Sequence, residues 1–259
     1  MPLTDFQADV FKIISRNRNP DSYVADATLI HRNASSPRYS RDIDLFHDAL
    51  EAVAASAKAD ANSLQKAGYQ TDFSIQTDTF QRAIVSRDGE SVRLEWASDS
   101  AFRFFPLVRD DLLGFRLHDA DSATNKVLAA VGRVQIRDVV DLLYLGATYI
   151  SLGAAIWAAC GKDEGWTAEL ILQELRRNGR YNPATVEGLD LAKPIDPKAL
   201  KSEWLTALDG AEVSIRSFPA LTRGFLFLDR SREPVRNPLF SADWIAHRGS
   251  VKGAWPKIL

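Results

Sequence analysis

The first 115 residues of the chain carry the hydrophobic patterns of both helices and strands. Apolar residues recur every three to four positions from Phe6 to Ile14, which predicts an N-terminal helix. Polar and apolar residues alternate over Asp42–Phe46, as in a half-buried strand. An alanine-rich helix is predicted from about Ala49 to Ala67. The runs Phe80–Ser86 and Ser91–Ala97 flank an Asp-Gly dipeptide, which predicts a hairpin.

The pattern changes near residue 112, after which strand signals stop and helical spacing dominates. Helices are predicted over residues 122–132, 136–147, 151–160, 167–178 and 198–208. The tail from Pro234 to Leu259 has no strong period and is predicted to be irregular. We therefore expect an α+β protein with a small mixed β-sheet domain over residues 1–115. A mainly helical domain with an irregular tail follows over residues 116–259.

One uncharged stretch, Leu142–Cys160, is long enough to cross a bilayer. It is rich in alanine, contains Gly146 and Gly153, and is preceded by acidic rather than basic residues. Two buried helices that meet near Tyr149–Ser151 explain it better, so no membrane partner is expected.

The composition is that of a folded globular protein. The chain has 259 residues, 46% hydrophobic and 25% charged, which excludes a collagen, a disordered tail and a disulfide scaffold. The formal net charge of −2 gives no general reason to expect nucleic acid or an anionic membrane as a partner. A single cysteine, Cys160, excludes an internal disulfide. The N-terminus has acids where a signal peptide needs a basic region, so a cytoplasmic location is expected.

The sharpest chemical feature is the pair Asp42 and Asp44 within the predicted strand. Side chains two positions apart on a strand point to the same face, so the two carboxylates lie together while Ile43 and Leu45 face the core. Two close carboxylates repel each other unless a cation lies between them. Mg²⁺ suits such a pair, and two Mg²⁺ ions would serve phosphoryl transfer. The alternative is a chance Asp-x-Asp without a metal.

The predicted hairpin offers a third acid. Arg93 and Glu95 share a strand face opposite Leu94 and Trp96, so Glu95 is a candidate third ligand from a neighbouring strand. Asp99 competes for that role, just past the strand end. The structural alternative is that Glu95 only pairs with Arg93.

A second group of charged residues follows in the helical part. On an unbroken helix, Lys126, Arg133, Arg137 and Asp141 would share one face, a basic stripe suited to nucleotide phosphates. The alternative is a solvated helix face with an Arg137–Asp141 pair. Other chemistries are poorly supported, since the chain has no zinc spacing among its histidines, no P-loop, no dinucleotide-binding glycine motif and no Gly-x-Ser-x-Gly elbow.

Two runs together resemble the nucleotidyl transferase AbiEii/AbiGii toxin family. The first is Arg38-Tyr39-Ser40-Arg41-Asp42-Ile43-Asp44-Leu45-Phe46, which is similar to the family's Arg-x-Ser-x-Asp-x-Asp segment. The second runs from Leu117 through Asn125-Lys126 and Arg133 to Arg137-Asp138 and Asp141. The resemblance covers about residues 20–150.

This resemblance implies the DNA polymerase β-like nucleotidyltransferase fold and a Mg²⁺-dependent activity. A nucleoside monophosphate would pass from an NTP to an acceptor, either RNA such as tRNA or a protein, in some relatives as the toxin of a toxin–antitoxin pair. An antitoxin protein is then an expected partner. Carried over by position, Asp42 and Asp44 are metal ligands and Lys126 binds nucleotide phosphate within the catalytic set. The hairpin acid Glu95 is the candidate third metal ligand and the candidate base for the acceptor hydroxyl. The implied nucleotide-binding residues are Thr28, Arg38, Ser40, Lys126, Arg133, Arg137 and Asp141.

The chain departs from the family at one place. The family has a glycine pair before a helix whose backbone amides hold the triphosphate, and here the matching stretch is Val24-Ala25-Asp26-Ala27-Thr28-Leu29. Glycine allows close approach of a backbone to phosphate, and Asp26 adds a negative charge instead. The departure motivates a second hypothesis, a catalytically inactive relative that binds a protein or an RNA.

Overall fold

A computed structural model describes residues 3–33, 35–240 and 243–256 of the chain. The chain divides into two compact units. Unit 1 comprises Met1–Ala101 and Leu107–His118, and unit 2 comprises Phe102–Pro106 and Asp119–Leu259. The sequence placed a boundary after residue 115. The units instead divide after His118, and the short segment 102–106 belongs to unit 2.

Unit 1 is a mixed seven-stranded sheet with helices. The helices are α1 (Asp5–Ile14), α2 (Asp26–Ile30) and α3 (Ala52–Lys66), with a 3₁₀ turn at Ser15–Asn17. The strands are β1 (Ser22–Val24), β2 (Asp42–His47), β3 (Gln70–Gln76), β4 (Phe80–Arg87), β5 (Glu90–Ser98), β7 (Val108–Asp110) and β8 (Gly114–Arg116), while β6 (Phe102–Arg103) belongs to unit 2. The strand order is β3-β4-β5-β2-β1-β8-β7. The expected α+β class is confirmed.

The centre of this sheet is the parallel pair β2 and β5. Strand β2 lies between β5 and an antiparallel β1, and β4 and β5 form the predicted hairpin. The turn of this hairpin consists of Asp88 and Gly89, which both have positive φ, 52° and 85°, as a type I′ turn requires. Apolar side chains of β2 and β5 pack with helices α1 and α3 to form the core, among them Ile43, Trp96 and Phe11.

Helix α1 begins where the sequence predicts. The Thr4 side chain accepts a hydrogen bond from the Gln7 backbone, and the Gln7 side chain accepts one from the Thr4 backbone, which completes a capping box. Its apolar residues Phe6, Val10, Phe11 and Ile14 are buried, and Ile13 is half-buried. Helix α1 therefore follows from local sequence alone.

Unit 2 is mainly helical. Its helices are α4 (Asp119–Gly132), α5 (Ile136–Thr148), α6 (Leu152–Ala159), α7 (Ala168–Asn178), α8 (Ala184–Glu187) and α9 (Pro197–Ser217), with 3₁₀ turns at Ala220–Thr222 and Pro238–Phe240. Two small antiparallel pairs join them. They are formed by β9 (Phe225–Leu228) with β10 (Ile245–Arg248), and by β6 with β11 (Ser250–Val251).

The uncharged stretch forms two helices, as expected. Helices α5 and α6 meet at an angle of 110°, and every residue of α6 is buried. Across the described ranges, no single helix is long and apolar enough to cross a membrane, although this bent pair passes the length and composition test together.

Three sequence predictions differ from the structure. Helix α9 ends at Ser217 rather than residue 208, strand β8 lies beyond the point where strand signals stop, and the tail is not wholly irregular. The tail strands β10 and β11 have four and two residues, too few to show an alternation of their own, and β11 pairs with β6, far away along the chain. Within the tail, residues 241, 242 and 257–259 lie outside the described residues.

Candidate active site

The paired aspartates lie on one face of β2, as its alternating sequence predicts. Asp42 and Asp44 are half-buried, and the alternate residues Ile43, Leu45 and His47 are buried on the other face. The alternation thus sorts the strand into a core face and a polar face.

Glu95 lies beside this pair on the neighbouring strand. In the parallel register of β2 and β5, Asp44 is opposite Glu95 and Asp42 is opposite Arg93. Asp42, Asp44 and Glu95 therefore share one face of two adjacent strands, and we call them the acid cluster. The competitor Asp99 lies just past β5, where it accepts hydrogen bonds from the Tyr23 hydroxyl and the Ser100 backbone.

Two arginines form ion pairs with the acid cluster. Arg93 donates from Nη2 to Asp42 Oδ2, and its Nε is 3.2 Å from Glu95 Oε1. Arg82 Nε donates to the same Glu95 oxygen at 2.8 Å. Burial opposes the charge of Arg93, but the hydrogen bond to Asp42 and the charges of Asp42, Glu95 and Asp44 together raise its pKa. The Arg93–Glu95 pair, the structural alternative, is present.

These contacts bear on metal binding. In the part of the chain that the structure describes, no group of three or more His, Cys, Asp or Glu residues is arranged to hold a metal ion. Glu95 already forms ion pairs with Arg82 and Arg93. Asp42 accepts a hydrogen bond from Arg93. Asp42 and Asp44 are nevertheless hard-oxygen donors of the kind that Mg²⁺ takes from a protein, because Mg²⁺ fills its other positions with water and phosphate. The chemistry of the Asp42–Asp44 pair suits Mg²⁺, and metal binding by Asp42, Asp44 and Glu95 stays a prediction.

The predicted nucleotide-binding hydroxyls contact the backbone where β2 begins. Thr28 Oγ1 and Ser40 Oγ donate to the Asp42 carbonyl at 2.8 Å and 3.0 Å. Gln7 in turn donates to the Ser40 carbonyl at 2.8 Å. Arg38 is also buried and donates to the Tyr39 carbonyl. The contacts of Thr28, Ser40 and Arg38 hold the segment that leads into β2, and a role of these residues in nucleotide binding stays a prediction.

Asp26, at the place of the family's glycine pair, has a left-handed backbone. Its φ is +57° at the start of helix α2. Residues other than glycine rarely adopt this conformation, although Asp and Asn tolerate it better than most. The backbone shape that suits glycine is therefore present here without glycine.

The other face of β2 carries a buried polar network. His47 contacts the Ser22 hydroxyl at 3.1 Å and the Ala97 carbonyl at 3.3 Å. Burial and the charge of Arg18 lower the pKa of His47 to about 4, so it is neutral near pH 7. Arg18 also binds fully buried Asp60, whose pKa is raised by burial against the opposing effect of Arg18. These contacts give buried polar groups on the core side of the sheet hydrogen-bond partners.

The second predicted group forms a buried ion cluster in unit 2. Lys126 Nζ is 3.3 Å from Asp138 Oδ1 and 3.2 Å from Asp141 Oδ2, and all three side chains are at most 2% exposed. Arg133 donates two hydrogen bonds to Asp138, at 2.8 Å and 2.9 Å. We call Lys126, Arg133, Asp138 and Asp141 the buried ion cluster.

The continuous basic stripe does not form, because the helix is interrupted between Gly132 and Ile136. Helix packing, rather than one shared face, brings Lys126 to Asp141. Arg137 is half-buried on α5. Sequence reasoning assigned no role to Asp138, although it lies within the second signature.

Comparisons with known proteins bear on the fold. No protein-family model and no curated protein matches the sequence. Similar solved structures include JHP933 from Helicobacter pylori, with a TM-score of 0.56, 14% identity, and coverage of 83% of this chain and 93% of that one. They also include MenT4, a nucleotidyltransferase toxin from Mycobacterium tuberculosis H37Rv, with a TM-score of 0.58, 14% identity and 83% coverage of each chain.

These likenesses establish the class of fold. The chain has an α+β architecture shared with a nucleotidyltransferase toxin, which confirms at the level of fold what the sequence resemblance implied.

Proposed function

We propose that this protein is a nucleotidyltransferase that moves a nucleoside monophosphate from an NTP to an acceptor and releases pyrophosphate. The observation that carries the proposal is the acid cluster on β2 and β5, within a fold shared with a nucleotidyltransferase toxin. The AbiEii-like runs through residues 38–46 and 117–141 support the same class.

Asp42 and Asp44 are the residues we propose to hold Mg²⁺. Their half-buried carboxylates share a face and are accessible to an ion that arrives with its nucleotide. Bound Mg²⁺ would supply positive charge against the phosphates. A second ion requires Glu95 to leave Arg82 and Arg93.

The protein's contribution to the reaction is orientation and proton transfer. The acceptor oxygen forms a bond to the α-phosphorus while the bond to pyrophosphate breaks, and the acceptor's proton needs a base. Glu95 is the proposed base, since it lies in register with Asp44. Thr28 and Ser40 hold the backbone of Asp42, so they orient that carboxylate.

The residues of the second signature form a separate proposal. Lys126, Arg133, Arg137 and Asp141 are proposed to bind nucleotide because the resemblance assigns them. Lys126 already lies between Asp138 and Asp141, so a contact with phosphate requires it to exchange a partner. We propose RNA, including tRNA, or a protein as the acceptor. An antitoxin partner and a cytoplasmic location belong to the same proposal.

Transfer of labelled nucleotide tests the proposal. The protein is incubated with Mg²⁺, total RNA or cell protein, and each α-³²P-labelled NTP in turn. We expect label on one acceptor class and a loss of about 100-fold or more in Asp42→Asn. Asp72→Asn, an exposed acid on β3 of the same sheet, is the matched control and should retain activity. Equal activity of Asp42→Asn and wild type would refute the assignment.

A second candidate is a catalytically inactive relative that binds a protein or an RNA. Asp26 in place of the glycine pair favours it, because a negative side chain opposes a triphosphate. Partner binding that is indifferent to Mg²⁺ and to Asp44→Asn would support this candidate.

A further inference from the structure

The guanidinium of Arg93 contacts carboxylates of the acid cluster that are predicted ligands of a metal ion. Strand register sets Arg93 directly opposite Asp42, and its guanidinium donates to Asp42 Oδ2. Its Nε lies 3.2 Å from Glu95. A single guanidinium thus contacts two of the three carboxylates.

The pairing is exposed enough to be exchanged. The Arg93 side chain is 37% exposed and that of Asp42 is 18% exposed. Ion pairs at such exposure contribute little stability, at most about a fivefold change in an equilibrium constant. An arriving divalent cation can therefore displace the guanidinium at small cost.

We propose that Arg93 and a divalent cation compete for the Asp42 carboxylate, so that Arg93 lowers the affinity of the acid cluster for metal. The inference rests on the proposed function, since it takes Asp42 and Asp44 as the metal ligands. Competition for one ligand is reciprocal: the factor by which Arg93 weakens metal binding is the factor by which metal weakens the Arg93 contact. In the absence of metal, Arg93 keeps the acids from repelling one another.

Arg82 is the matched control. It lies on β4 in register with Glu95, its exposure of 34% is close to that of Arg93, and its ion pair is with Glu95. Removal of Arg82 changes the net charge of the cluster by the same amount as removal of Arg93. Loss of Arg93 frees an oxygen of Asp42, one of the two residues proposed to hold Mg²⁺, whereas loss of Arg82 leaves the contact between Arg93 and Asp42 in place.

The experiment measures binding of Mn²⁺ alone to the full chain, with free Mn²⁺ counted by electron paramagnetic resonance. We expect Arg93→Gln to bind Mn²⁺ about three- to fivefold more tightly than wild type. Arg82→Gln should change the affinity by less than about twofold, and Asp44→Asn should abolish the binding. If Arg93→Gln does not fold, Arg93→Lys replaces it, and we expect tighter binding than in wild type because lysine lacks the planar fork.

The outcomes distinguish a failure of this inference from a failure of the proposed function. Mn²⁺ binding that is lost in Asp44→Asn but equal in Arg93→Gln and wild type would overturn this inference and leave the proposed function standing. An equal gain in Arg93→Gln and Arg82→Gln would also overturn it, because charge alone would then explain the effect. An absence of Mn²⁺ binding, or binding unaffected by Asp44→Asn, would also overturn this inference, and the transfer of labelled nucleotide would then decide the proposed function.

Discussion

The acid cluster with its two arginines and the buried ion cluster both pair carboxylates with cationic side chains, but the two differ in their exposure to solvent. In the acid cluster, Asp42 and Glu95 are each 18% exposed and their arginines more than 30%. In the buried ion cluster, Lys126, Asp138 and Asp141 are at most 2% exposed, and only Arg133 reaches solvent. Exposure, rather than composition, distinguishes the two.

That difference predicts different roles. A half-exposed carboxylate loses a partner at low cost because water or an ion replaces it. A buried charge has no such replacement, so its pairs are retained or the structure is destabilised. The acid cluster is thus suited to exchange ligands, and the buried ion cluster is suited to hold helices α4 and α5 together.

The largest expected effect comes from breaking the buried ion cluster. Asp138→Ala removes a partner of both Lys126 and Arg133, and we expect it to lower the free energy of unfolding by about 3 kcal/mol. Urea denaturation followed by circular dichroism measures this. Asp209→Ala, which removes a 71% exposed partner of Arg176, is the control and should cost less than about 1 kcal/mol.

Asp44→Asn sharpens the same comparison. It removes a charge from the acid cluster and should change the free energy of unfolding by less than about 1 kcal/mol. The distinction between the clusters would fail if Asp138→Ala and Asp44→Asn had equal effects on stability.

A smaller effect is expected at Asp26. If its charge opposes an NTP, Asp26→Gly and Asp26→Asn should both tighten NTP binding, by about fivefold for roughly 1 kcal/mol of repulsion in water. Both substitutions suit the left-handed backbone at φ +57°. Calorimetric titration of each NTP with Mg²⁺ measures this. A higher NTP affinity in Asp26→Gly alone would indicate that close approach of the backbone matters rather than charge. An unchanged affinity in both variants would show that Asp26 does not affect nucleotide binding.

Much of the fold follows from local sequence. The alternation at β2, the capping box of α1 and the Asp-Gly turn of the hairpin act over a few residues, and the structure has each of them. The short strands β9, β10 and β11 could not be predicted, because so few residues show no clear period and because β11 pairs with β6, far away along the chain.

The same limit applies to the candidate site. The pairing of Arg82 with Glu95 could have been found, because counting back from the Asp-Gly turn places them opposite each other. The position of Arg93 opposite Asp42 could not, because it depends on the register of two parallel strands that are far apart in sequence. The ion pair of Asp138 with Lys126 could likewise not be predicted, because it is created by the packing of two helices.

The central claim is that the acid cluster binds Mg²⁺ and a nucleotide. Thermal unfolding with Mg²⁺ and each NTP in turn, for wild type and Asp44→Asn, tests it most directly. A ligand at 100 times its Kd should stabilise the native state by about 2.7 kcal/mol. We predict such stabilisation with at least one NTP, dependent on Mg²⁺ and lost in Asp44→Asn. No stabilisation by any NTP, or an equal gain in Asp44→Asn, would contradict the account.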